Sequence, residues 1–468
     1  MSPSVAPGTS GVDRARLQAL LVREQEAFAA RNPRSAAAYR AAGSLFGHVP
    51  MTWMNKTSAH FPLYLDTARG AHVTDIDGHT YADFSLGDTG SMAGHSPAPV
   101  VEAVRRRVEE LGGLAVMLPT EQAETAGALL AARFGLPRWS FSLTATDANR
   151  WAIRLARAVT GRPKILVNSY CYHGSVDESL IVTSPTGASA RPGNVGAPVP
   201  VTETSRVAEF NDLDGLEREL AHGDVAAVLM EPALTNIGIV PPEPGYLDGV
   251  RELTRRHGTL LIIDETHTFC VGPGGATRAW ALAPDVVTIG KAIGGGIPAG
   301  AYGLSGELAD RLLGRADLDL VDMGGVGGTL AGNALSIAAV CATLGAVLTE
   351  EAFRHMHALA ERFAAGVAEV IDEQALPWSV TRLGARVEYR FADPAPRTGT
   401  EAAAVHDQEL DDYLHTYLAN RGVLLTPFHN MALMSPATGE ADVDLHSRLF
   451  ADAVAELVGT ARPVRSGA

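Results

Sequence analysis

Short apolar runs alternate with helix-like segments between residues 95 and 335 of the chain. Each run is close to five residues long and rich in branched apolar side chains; the runs cover residues 139–143, 164–168, 226–230, 259–264 and 286–290. Strands that are apolar at every position belong in a sheet whose two faces are both covered by helices. The pattern therefore predicts an α/β fold, with a mostly parallel sheet flanked by helices.

The segments on either side of this region have other patterns. Residues 12–30 predict a helix, and residues 70–84 predict two short strands around an Asp77-Gly78 turn. Residues 183–200 are rich in Gly, Pro and Ser and predict a loop, whereas residues 337–348 predict a buried helix. Two further strands are expected at residues 385–391 and 422–427.

These patterns predict two domains. The large one covers residues 95–335 and contains the sheet. The small one is of the α+β type and is built from residues 1–94 and 336–468.

Composition and charge limit the possible partners. Hydrophobic residues make up 46% of the 468 residues and charged residues 19%, which is a globular composition. The formal net charge of −15 argues against nucleic acid or an anionic membrane as a partner, since both require a basic surface. The first residues show no apolar core behind a basic end, so no secretory signal is expected. Three cysteines (Cys171, Cys270 and Cys341) make no disulfide framework, which favours a reducing cytoplasm.

An acid and an amine are expected at one edge of the sheet. Asp264 ends one apolar run and Lys291 follows the next, and ligands of open α/β sheets bind at the carboxyl ends of the strands. Pyridoxal 5′-phosphate (PLP) requires such a pair, because a lysine amine forms a Schiff base with it and a carboxylate keeps its pyridine nitrogen protonated. A lone lysine after a strand is usually solvated or salt-bridged, but the glycines around Lys291 and the paired Asp264 favour a catalytic site.

A phosphate site and a ring contact complete this hypothesis. Residues 141–151 lead from an apolar run through a turn of small hydroxyl residues into a helix. The free N–H groups of a helix N-terminus, beside the hydroxyls of Thr144 and Thr146, suit a phosphate dianion. Ordinary helix capping by Thr146 or Asp147 explains the same residues equally well. Tyr172 can stack on a pyridine ring, although ordinary packing is the alternative.

Two other kinds of site are disfavoured. His173 and His267 lack the spacing of metal ligands, so no metal site is predicted. The chain has no G-x-S-x-G turn, which argues against a Ser-His-Asp hydrolase.

Six short motifs together resemble the class III aminotransferases of PLP fold type I. They are Thr-Ala-Thr-Asp-Ala-Asn (144–149), Tyr-His-Gly (172–174), Glu-Pro (231–232), Asp-Glu (264–265), Gly-Lys (290–291) and Gly-Thr-Leu-Ala-Gly-Asn (328–333). The similarity covers roughly residues 60–430. Residues 231–242, 297–303 and 421–427 look most similar to the branch of glutamate-1-semialdehyde aminomutase and the β-amino-acid aminotransferases.

The resemblance implies a role for each residue of the site. Lys291 would hold PLP and later carry a proton, and Asp264 would pair with the pyridine nitrogen. The other contacts would be Thr144, Ala145 and Thr146 at the phosphate, Tyr172 and Thr266 on the two ring faces, Asn236 at the phenolic oxygen, and Thr329 from the second subunit. A site completed by Thr329 of another copy implies a homodimer.

The sequence departs from the family pattern in two places. Ala145 stands where the family has a glycine, which changes how closely the backbone can approach the phosphate. Residues 51–56 include Trp53 and Lys56 but no arginine, whereas both related branches place a carboxylate-binding arginine there. Arg386 is a candidate for that role, although a surface arginine without a ligand is the expected alternative. Further candidates for the substrate mouth are Trp53, Tyr172, His267 and residues 429–431.

The resemblance implies that the protein moves an amino group between an amine or amino acid and a keto acid, with ping-pong kinetics. Two alternatives stay open. An aminomutase would keep the amino group on one carbon skeleton, and the missing N-terminal arginine argues against the glutamate-1-semialdehyde version. A non-catalytic PLP-binding protein is disfavoured because Lys291 and Asp264 are both intact.

Overall fold

The computed structural model describes residues 10–116, 118–318, 320 and 328–460. Its strands are β1 (Leu65–Arg69), β2 (His72–Asp75), β3 (Thr80–Asp83), β4 (Arg138–Ser142), β5 (Lys164–Asn168), β6 (Ile181–Ser184), β7 (Gly187–Ala190), β8 (Ser205–Ala208), β9 (Val225–Met230), β10 (Leu260–Asp264), β11 (Val286–Ile289), β12 (Gly300–Leu304), β13 (Ser379–Leu383), β14 (Arg386–Arg390), β15 (Val423–Leu424) and β16 (Met431–Leu433). Its α-helices are α1 (Arg14–Arg31), α2 (Pro33–Ala41), α3 (Ala98–Arg106), α4 (Glu121–Phe134), α5 (Ala145–Thr160), α6 (Val201–Thr204), α7 (Leu213–Leu220), α8 (Tyr246–Arg256), α9 (Gly275–Ala279), α10 (Gly306–Leu313), α11 (Ala334–Ala342), α12 (Glu350–Glu373), α13 (Gly399–Ala404), α14 (Gln408–Ala419) and α15 (Glu440–Val458).

A seven-stranded sheet forms the centre of the fold, with the strand order β4-β12-β11-β10-β9-β5-β8. Strand β12 runs antiparallel to both of its neighbours, and the other adjacent pairs are parallel. Every residue of β9, β10 and β11 is buried, because helices cover both faces of the sheet. The predicted α/β fold with a mostly parallel sheet is confirmed.

The five apolar runs correspond to β4, β5, β9, β10 and β11, and the run at residues 164–168 matches β5 at both ends. Two strands of the sheet, β8 and β12, were not predicted, because their sequences are short and are diluted by Ser, Arg or Gly. The predicted loop at residues 183–200 is also wrong in part. It contains β7, which pairs with β6 in an antiparallel hairpin that joins Ile181 to Ala190.

Segments from the two ends of the chain share a second sheet, with the order β1-β2-β3-β15. The hairpin of β2 and β3 turns at Gly78, as the Asp77-Gly78 pattern predicts, and Gly78 has a φ of +92°. Strand β15 pairs with β3 in parallel, with Val423 opposite Ala82. A third sheet, β13-β14-β16, comes from the C-terminal segment alone.

Helix α11 and the π-helical turn that follows it, Thr343–Val347, correspond to the predicted buried helix. In the part of the chain that the structure describes, no single helix is long and apolar enough to cross a membrane. Ala334–Val347 and Glu350–Glu373 reach the necessary length and composition only together, as a pair bent by 70°.

Candidate active site

The ends of two neighbouring strands open into one large cavity. Strands β10 and β11 are adjacent and parallel, with Asp264 opposite Thr288. Asp264 is the last residue of β10, and Lys291 lies two residues beyond the end of β11. Both side chains line a cavity of about 1300 Å³. The acid and the amine expected at one edge of the sheet thus face the same space.

Asp264 is held in place by three hydrogen bonds. Its Oδ2 atom accepts from His173 Nδ1 at 2.9 Å and from Asn149 Nδ2 at 2.8 Å, and its Oδ1 atom accepts from the Thr266 backbone N–H at 3.1 Å. Burial alone would raise the pKa of this carboxyl, but the hydrogen bonds, led by the one from His173, lower it below its ordinary value. Asp264 therefore stays ionised, and Oδ1 keeps the capacity to accept one more hydrogen bond.

The sequence analysis did not assign His173 and Asn149 to this role. His173 is 1% exposed. Burial disfavours its charge, but Cys171 and Asp264 beside it raise its pKa well above the ordinary value. Asn149 is fixed in turn by Thr288, whose hydroxyl donates to Asn149 Oδ1 at 2.6 Å. Both residues lie in motifs on which the family resemblance rests, residues 144–149 and 172–174, so these motifs could have pointed to them.

The predicted phosphate turn is the N-terminus of α5. Thr144 caps this helix by accepting from the Asp147 backbone N–H, so the predicted capping by Thr146 or Asp147 is wrong. The backbone N–H groups of Ala145 and Thr146 have no acceptor among the described residues. Since Thr144, Ala145 and Thr146 all line the cavity, these free donors point to an anion-binding site.

Two glycines allow close approach to this turn. A Cβ atom on Gly290, just before Lys291, would lie 2.8 Å from the Ala145 backbone nitrogen. A Cβ atom on Gly174 would lie 1.9 Å from Thr146 Oγ1, and Gly174 also has a φ of +77°. The end of β11 and the Tyr-His-Gly turn can therefore contact the start of α5 only because both positions lack a side chain.

The remaining predicted cofactor contacts divide into two groups. Tyr172, Asn236 and Thr266 line the cavity, and the buried Oγ1 atom of Thr266 has no hydrogen-bond partner among the described residues. Thr329, by contrast, is exposed and does not line the cavity of its own chain.

These residues fit PLP. The free N–H groups of Ala145 and Thr146 suit its phosphate, the spare capacity of Asp264 Oδ1 suits a protonated pyridine nitrogen, and Lys291 supplies an amine. The unpaired hydroxyl of Thr266, buried beside the cavity, is a polar group that still needs a partner.

The amine of Lys291 lies between an acid and a histidine. Its Nζ atom donates to Asp88 Oδ2 at 2.7 Å and is 2.9 Å from His267 Nε2. Burial would raise the pKa of Asp88, but the charge of Lys291 and the nearby His267 and Arg386 hold it well below its ordinary value. Asp88 was not predicted, because it belongs to a loop with positive φ angles at Leu86 (45°), Asp88 (49°) and Thr89 (83°) that carries no familiar motif.

Arg386 is not a surface residue, so the expected surface position is wrong. It is 1% exposed, and it lies on the same face of β14 as Glu388 and Arg390, which both line the cavity. Its Nη1 atom donates to Met431 Sδ at 2.9 Å and its Nη2 atom donates to Thr89 Oγ1. Arg386 itself does not line the cavity, so its position does not support direct contact with a substrate.

The predicted mouth residues Trp53, His267 and the 429–431 stretch all line the cavity. Trp53 packs edge-on against Phe428 with ring centroids 6.0 Å apart, and Lys56 Nζ lies 5.3 Å from the centre of the same ring. Two further arginines of the lining are already engaged. Arg390 donates to the carbonyl oxygens of Ile237 and Ala402, and Arg191 donates to that of Cys171.

Within residues 10–116, 118–318, 320 and 328–460, no group of three or more His, Cys, Asp or Glu side chains is arranged to hold a metal ion.

Comparison with known proteins agrees with this geometry. The family model described as Aminotransferase class-III matches residues 53–445. Glutamate-1-semialdehyde 2,1-aminomutase of Chloroflexus aggregans is 34% identical over 411 residues, which cover 85% of this chain and 91% of that protein.

Two solved structures are also similar. A glutamate-1-semialdehyde aminomutase from Pseudomonas aeruginosa PAO1 is 49% identical with a TM-score of 0.92, and the match covers 96% of this chain and 100% of that protein. A lysine-to-alanine form of the same protein was solved with PMP bound. The β-phenylalanine aminotransferase from Variovorax paradoxus is 26% identical with a TM-score of 0.80, over 93% of this chain and 97% of that one.

Proposed function

The chain belongs to the class III aminotransferases, which are PLP enzymes, and we propose that it transfers an amino group between two separate molecules, from an amine or amino acid to a keto acid. One observation carries this proposal. Asp264 and Lys291, at the ends of adjacent parallel strands, line a single cavity that also contains the unpaired N–H groups of Ala145 and Thr146.

PLP, when bound, withdraws electrons from the carbon that carries the substrate's amino group. The residues of the chain bind and orient it. The N–H groups of Ala145 and Thr146 would bind the phosphate, and Tyr172 and Thr266, which both line the cavity, would contact the two faces of the ring. Asp264, kept ionised by His173 and Asn149, holds the proton on the pyridine nitrogen. Lys291 would hold the cofactor through its amine, and its Nζ atom is the group that would carry a proton to and from the substrate carbon.

Both substrates use the same cavity. The first carbonyl product must leave before the keto acid enters, so the kinetics are ping-pong. The cavity volume of about 1300 Å³ also leaves room for a substrate next to the cofactor, beside Trp53, His267 and His429.

An aminomutase is the second candidate, because several similar proteins are glutamate-1-semialdehyde aminomutases. Their substrate, glutamate 1-semialdehyde, carries a carboxylate. Among the described residues that line the cavity, however, Arg191 and Arg390 already donate to backbone carbonyl oxygens. Arg386 lies behind the lining, and the N-terminal segment contributes Trp53 and Lys56 rather than an arginine. The N-terminal arginine that the resemblance leads one to expect for glutamate 1-semialdehyde is therefore missing, but the keto acid of the proposed transfer also carries a carboxylate, so a direct experiment must distinguish the two reactions.

Separating the two half-reactions distinguishes these candidates. The holoenzyme is mixed with an amine donor, the absorbance of the cofactor is followed, and the small molecules are removed by gel filtration. We expect the spectrum to stay in its aminated form until pyruvate or 2-oxoglutarate is added, and then to return. An aminomutase would instead turn over glutamate 1-semialdehyde with no added keto acid, and that result would reject the proposal.

The lysine that binds the cofactor can be identified directly, because the chain has only three lysines, Lys56, Lys164 and Lys291. After borohydride reduction of the holoenzyme, mass spectrometry should find the cofactor on the peptide of Lys291. Lys291→Ala should abolish both this adduct and almost all turnover, whereas Lys56→Ala and Lys164→Ala should keep the adduct. An adduct on Lys56 or Lys164 in the wild-type protein would remove Lys291 from its role.

The enzyme works as a homodimer. Seven large apolar side chains are exposed in two nearby stretches of the chain and are together called the apolar patch here: Val101, Val108, Leu111, Leu114, Val116, Leu118 and Leu330. The Leu114 carbonyl oxygen accepts from the Ala334 backbone N–H, so this patch lies near Thr329. An exposed apolar surface of this kind suits an interface between copies, and it would bring Thr329 of one copy to the cavity of the other.

Two expectations from the sequence carry over to this proposal. The described cysteines are all free, which suits a reducing cytoplasm. The net charge of −15 suits small-molecule substrates better than nucleic acid or an anionic membrane.

A further inference from the structure

A buried carboxyl oxygen of Glu388 has no hydrogen-bond partner among the described residues. Glu388 is 2% exposed and lines the cavity. Its Oε2 atom accepts from the Ile239 backbone N–H, which fixes the side chain. Its Oε1 atom is 3.7 Å from Arg390 Nη1 and 3.6 Å from His429 Nδ1, and both distances are too long for a hydrogen bond. A buried polar atom of this kind needs a partner, and the cavity is where a partner can enter.

His429 is a second polar group in the same position. Its side chain is 11% exposed and lines the cavity, and its ring nitrogens form no hydrogen bond with any described residue. Burial lowers the pKa of His429 to about 3, so at neutral pH the ring is uncharged and has one N–H donor and one acceptor nitrogen. The gap of 3.6 Å between Glu388 Oε1 and His429 Nδ1 can be bridged by a small polar group that contacts both atoms.

These two side chains lie away from the amine of Lys291, although all three line one cavity. Arg386 Nη2 is 3.3 Å from His267 Nδ1, and His267 Nε2 is 2.9 Å from Lys291 Nζ. Glu388 follows Arg386 by two residues on the same face of β14, which is about 7 Å along the strand. A substrate group that contacts Glu388 is therefore several bonds away from the amino group that reacts near Lys291.

The charges around Glu388 indicate which kind of group fits there. Arg390 is the nearest charged side chain, and Arg386 and Asp411 act on the site from further away. A second ammonium group would lie beside guanidinium groups, and a carboxylate would lie beside Glu388. A hydroxyl group avoids both conflicts. It can donate to Oε1 and accept from His429, and it can accept from Oε1 when that carboxyl is protonated, which burial favours by raising the pKa of Glu388.

We propose that Glu388 and His429 form a subsite for a hydroxyl group of the substrate, so that the enzyme prefers amines or amino acids with a hydroxyl several bonds from the reacting amino group. This assignment rests on the proposed function, because it takes Lys291 to mark the reacting end of the cavity. The subsite recognises the part of the substrate that does not react.

Amines that differ only in the hydroxyl test this subsite. Aminopropanol, aminobutanol and aminopentanol, with the amino and hydroxyl groups at opposite ends, are compared with butylamine, pentylamine and hexylamine, in which a methyl group replaces the hydroxyl. The kcat/KM of the full-length holoenzyme is measured for each donor with pyruvate or 2-oxoglutarate. Each pair of amines is also titrated by calorimetry into borohydride-treated holoenzyme, so that binding is measured without turnover.

We expect at least one amino alcohol to exceed its alkylamine roughly tenfold in kcat/KM, the effect of one buried hydrogen bond, and to bind the borohydride-treated protein more tightly. In His429→Leu this ratio should fall towards unity, and His429→Gln, which keeps a donor and an acceptor, should restore part of it. Should His429→Leu not fold, Glu388→Gln places an N–H donor where Oε1 accepts and should lower the ratio as well. General damage to the enzyme slows both donors and leaves the ratio unchanged.

His406→Leu is the matched control. His406 lines the same cavity, but its Nε2 atom is 3.2 Å from Gln408 Oε1, so its ring already has a partner. The ratio within each pair of amines should stay at the wild-type value in this variant.

The two hypotheses fail separately. If no donor reacts when a keto acid is present, the proposed function fails, and the calorimetric comparison still tests the subsite. If none of the amino alcohols is preferred in rate or in binding, water alone bridges Glu388 and His429, and the subsite is rejected. A preference that His429→Leu and Glu388→Gln both keep in full would also reject it, because the hydroxyl would then be bound elsewhere.

Discussion

His173 donates a hydrogen bond from Nδ1 to Asp264 Oδ2 over 2.9 Å, and both side chains are buried. Neither charge would be stable alone at this depth, since burial raises the pKa of an acid and lowers that of a histidine. Here each group shifts the pKa of the other towards its charged form. The proposed partner of the pyridine nitrogen is therefore a buried, hydrogen-bonded pair of Asp264 and His173 rather than a single carboxylate.

The first prediction concerns this pair. His173→Leu removes the donor, so the pKa of Asp264 should rise and the proton on the pyridine nitrogen should be held less firmly. We expect kcat to fall by roughly tenfold or more, with weaker binding of PLP. His173→Asn is the matched control, because its amide nitrogen replaces Nδ1 and should restore part of the loss. Equal kcat values for the two variants would show that the hydrogen bond does not matter for turnover.

The phosphate turn gives a second prediction. Gly174→Ala would place a Cβ atom 1.9 Å from Thr146 Oγ1, at a φ of +77°. We expect the affinity for PLP to fall by more than about tenfold, because the start of α5 must move away from the phosphate. Titration of the cofactor-free protein with PLP measures this change.

Gly161→Ala is the control for backbone strain. Gly161 has a similar φ of +68°, at the end of α5, but nothing lies within 4 Å of its Cβ position. It should lose some thermal stability and keep its affinity for PLP. If both variants bind PLP equally well, close packing against Thr146 is not needed for the phosphate site.

The strands that carry Asp264 and Lys291 could be predicted because burial on both faces forces a continuous apolar run. The residues of β10 and β11 are all buried, and their sequences are apolar except at Asp264 and Thr288. Strand β12 escaped prediction for a physical reason as well. A Cβ atom on Gly300 would lie 2.5 Å from the Thr144 carbonyl oxygen, so a glycine stands where an apolar residue would have marked the strand.

The contacts of the free lysine could not be predicted from local pattern. Asp88 and Lys291 are 203 positions apart, and Arg386 and Thr89 are 297 apart. Their meeting depends on how the second and third sheets pack against the large one. The burial of Arg386 could not be predicted either. An arginine on a short strand is expected to be solvent-exposed, and only the packing of β14 shows that it is buried.

The proposed dimer gives a third prediction. Val116→Glu places a charge in the exposed apolar patch, and burying that charge against a second copy should weaken association at least roughly tenfold. Val22→Glu on α1 is matched in chemistry and in exposure, 48% against 47%, and should leave association unchanged. Sedimentation over a range of concentrations, against the chain mass of 49.1 kDa, measures both. A wild-type protein that sediments as a monomer would contradict the dimer.

The last prediction follows from His446 on α15, whose ring lies 4.0 Å from that of Phe363 and has no hydrogen-bond partner for either nitrogen among the described residues. Burial lowers its pKa from 6.5 to about 3. The unfolded chain therefore binds a proton at this position below about pH 6.5, and the folded chain does so only near pH 3. The stability associated with a neutral His446 is complete above pH 6.5 and is lost as the pH falls from 6.5 towards 3. At about pH 5 the loss amounts to about 2 kcal/mol.

His446→Leu removes this titration, so the melting temperature of the variant should fall less than that of the wild type between neutral pH and about pH 5. His222→Leu, at an exposed histidine, is the control and should leave the pH dependence unchanged. Any loss of ring packing in His446→Leu lowers stability equally at both pH values, so only the difference between them reports on the proton. Parallel curves for His446→Leu and the wild type would mean that His446 becomes protonated in the folded protein at the same pH as in the unfolded chain.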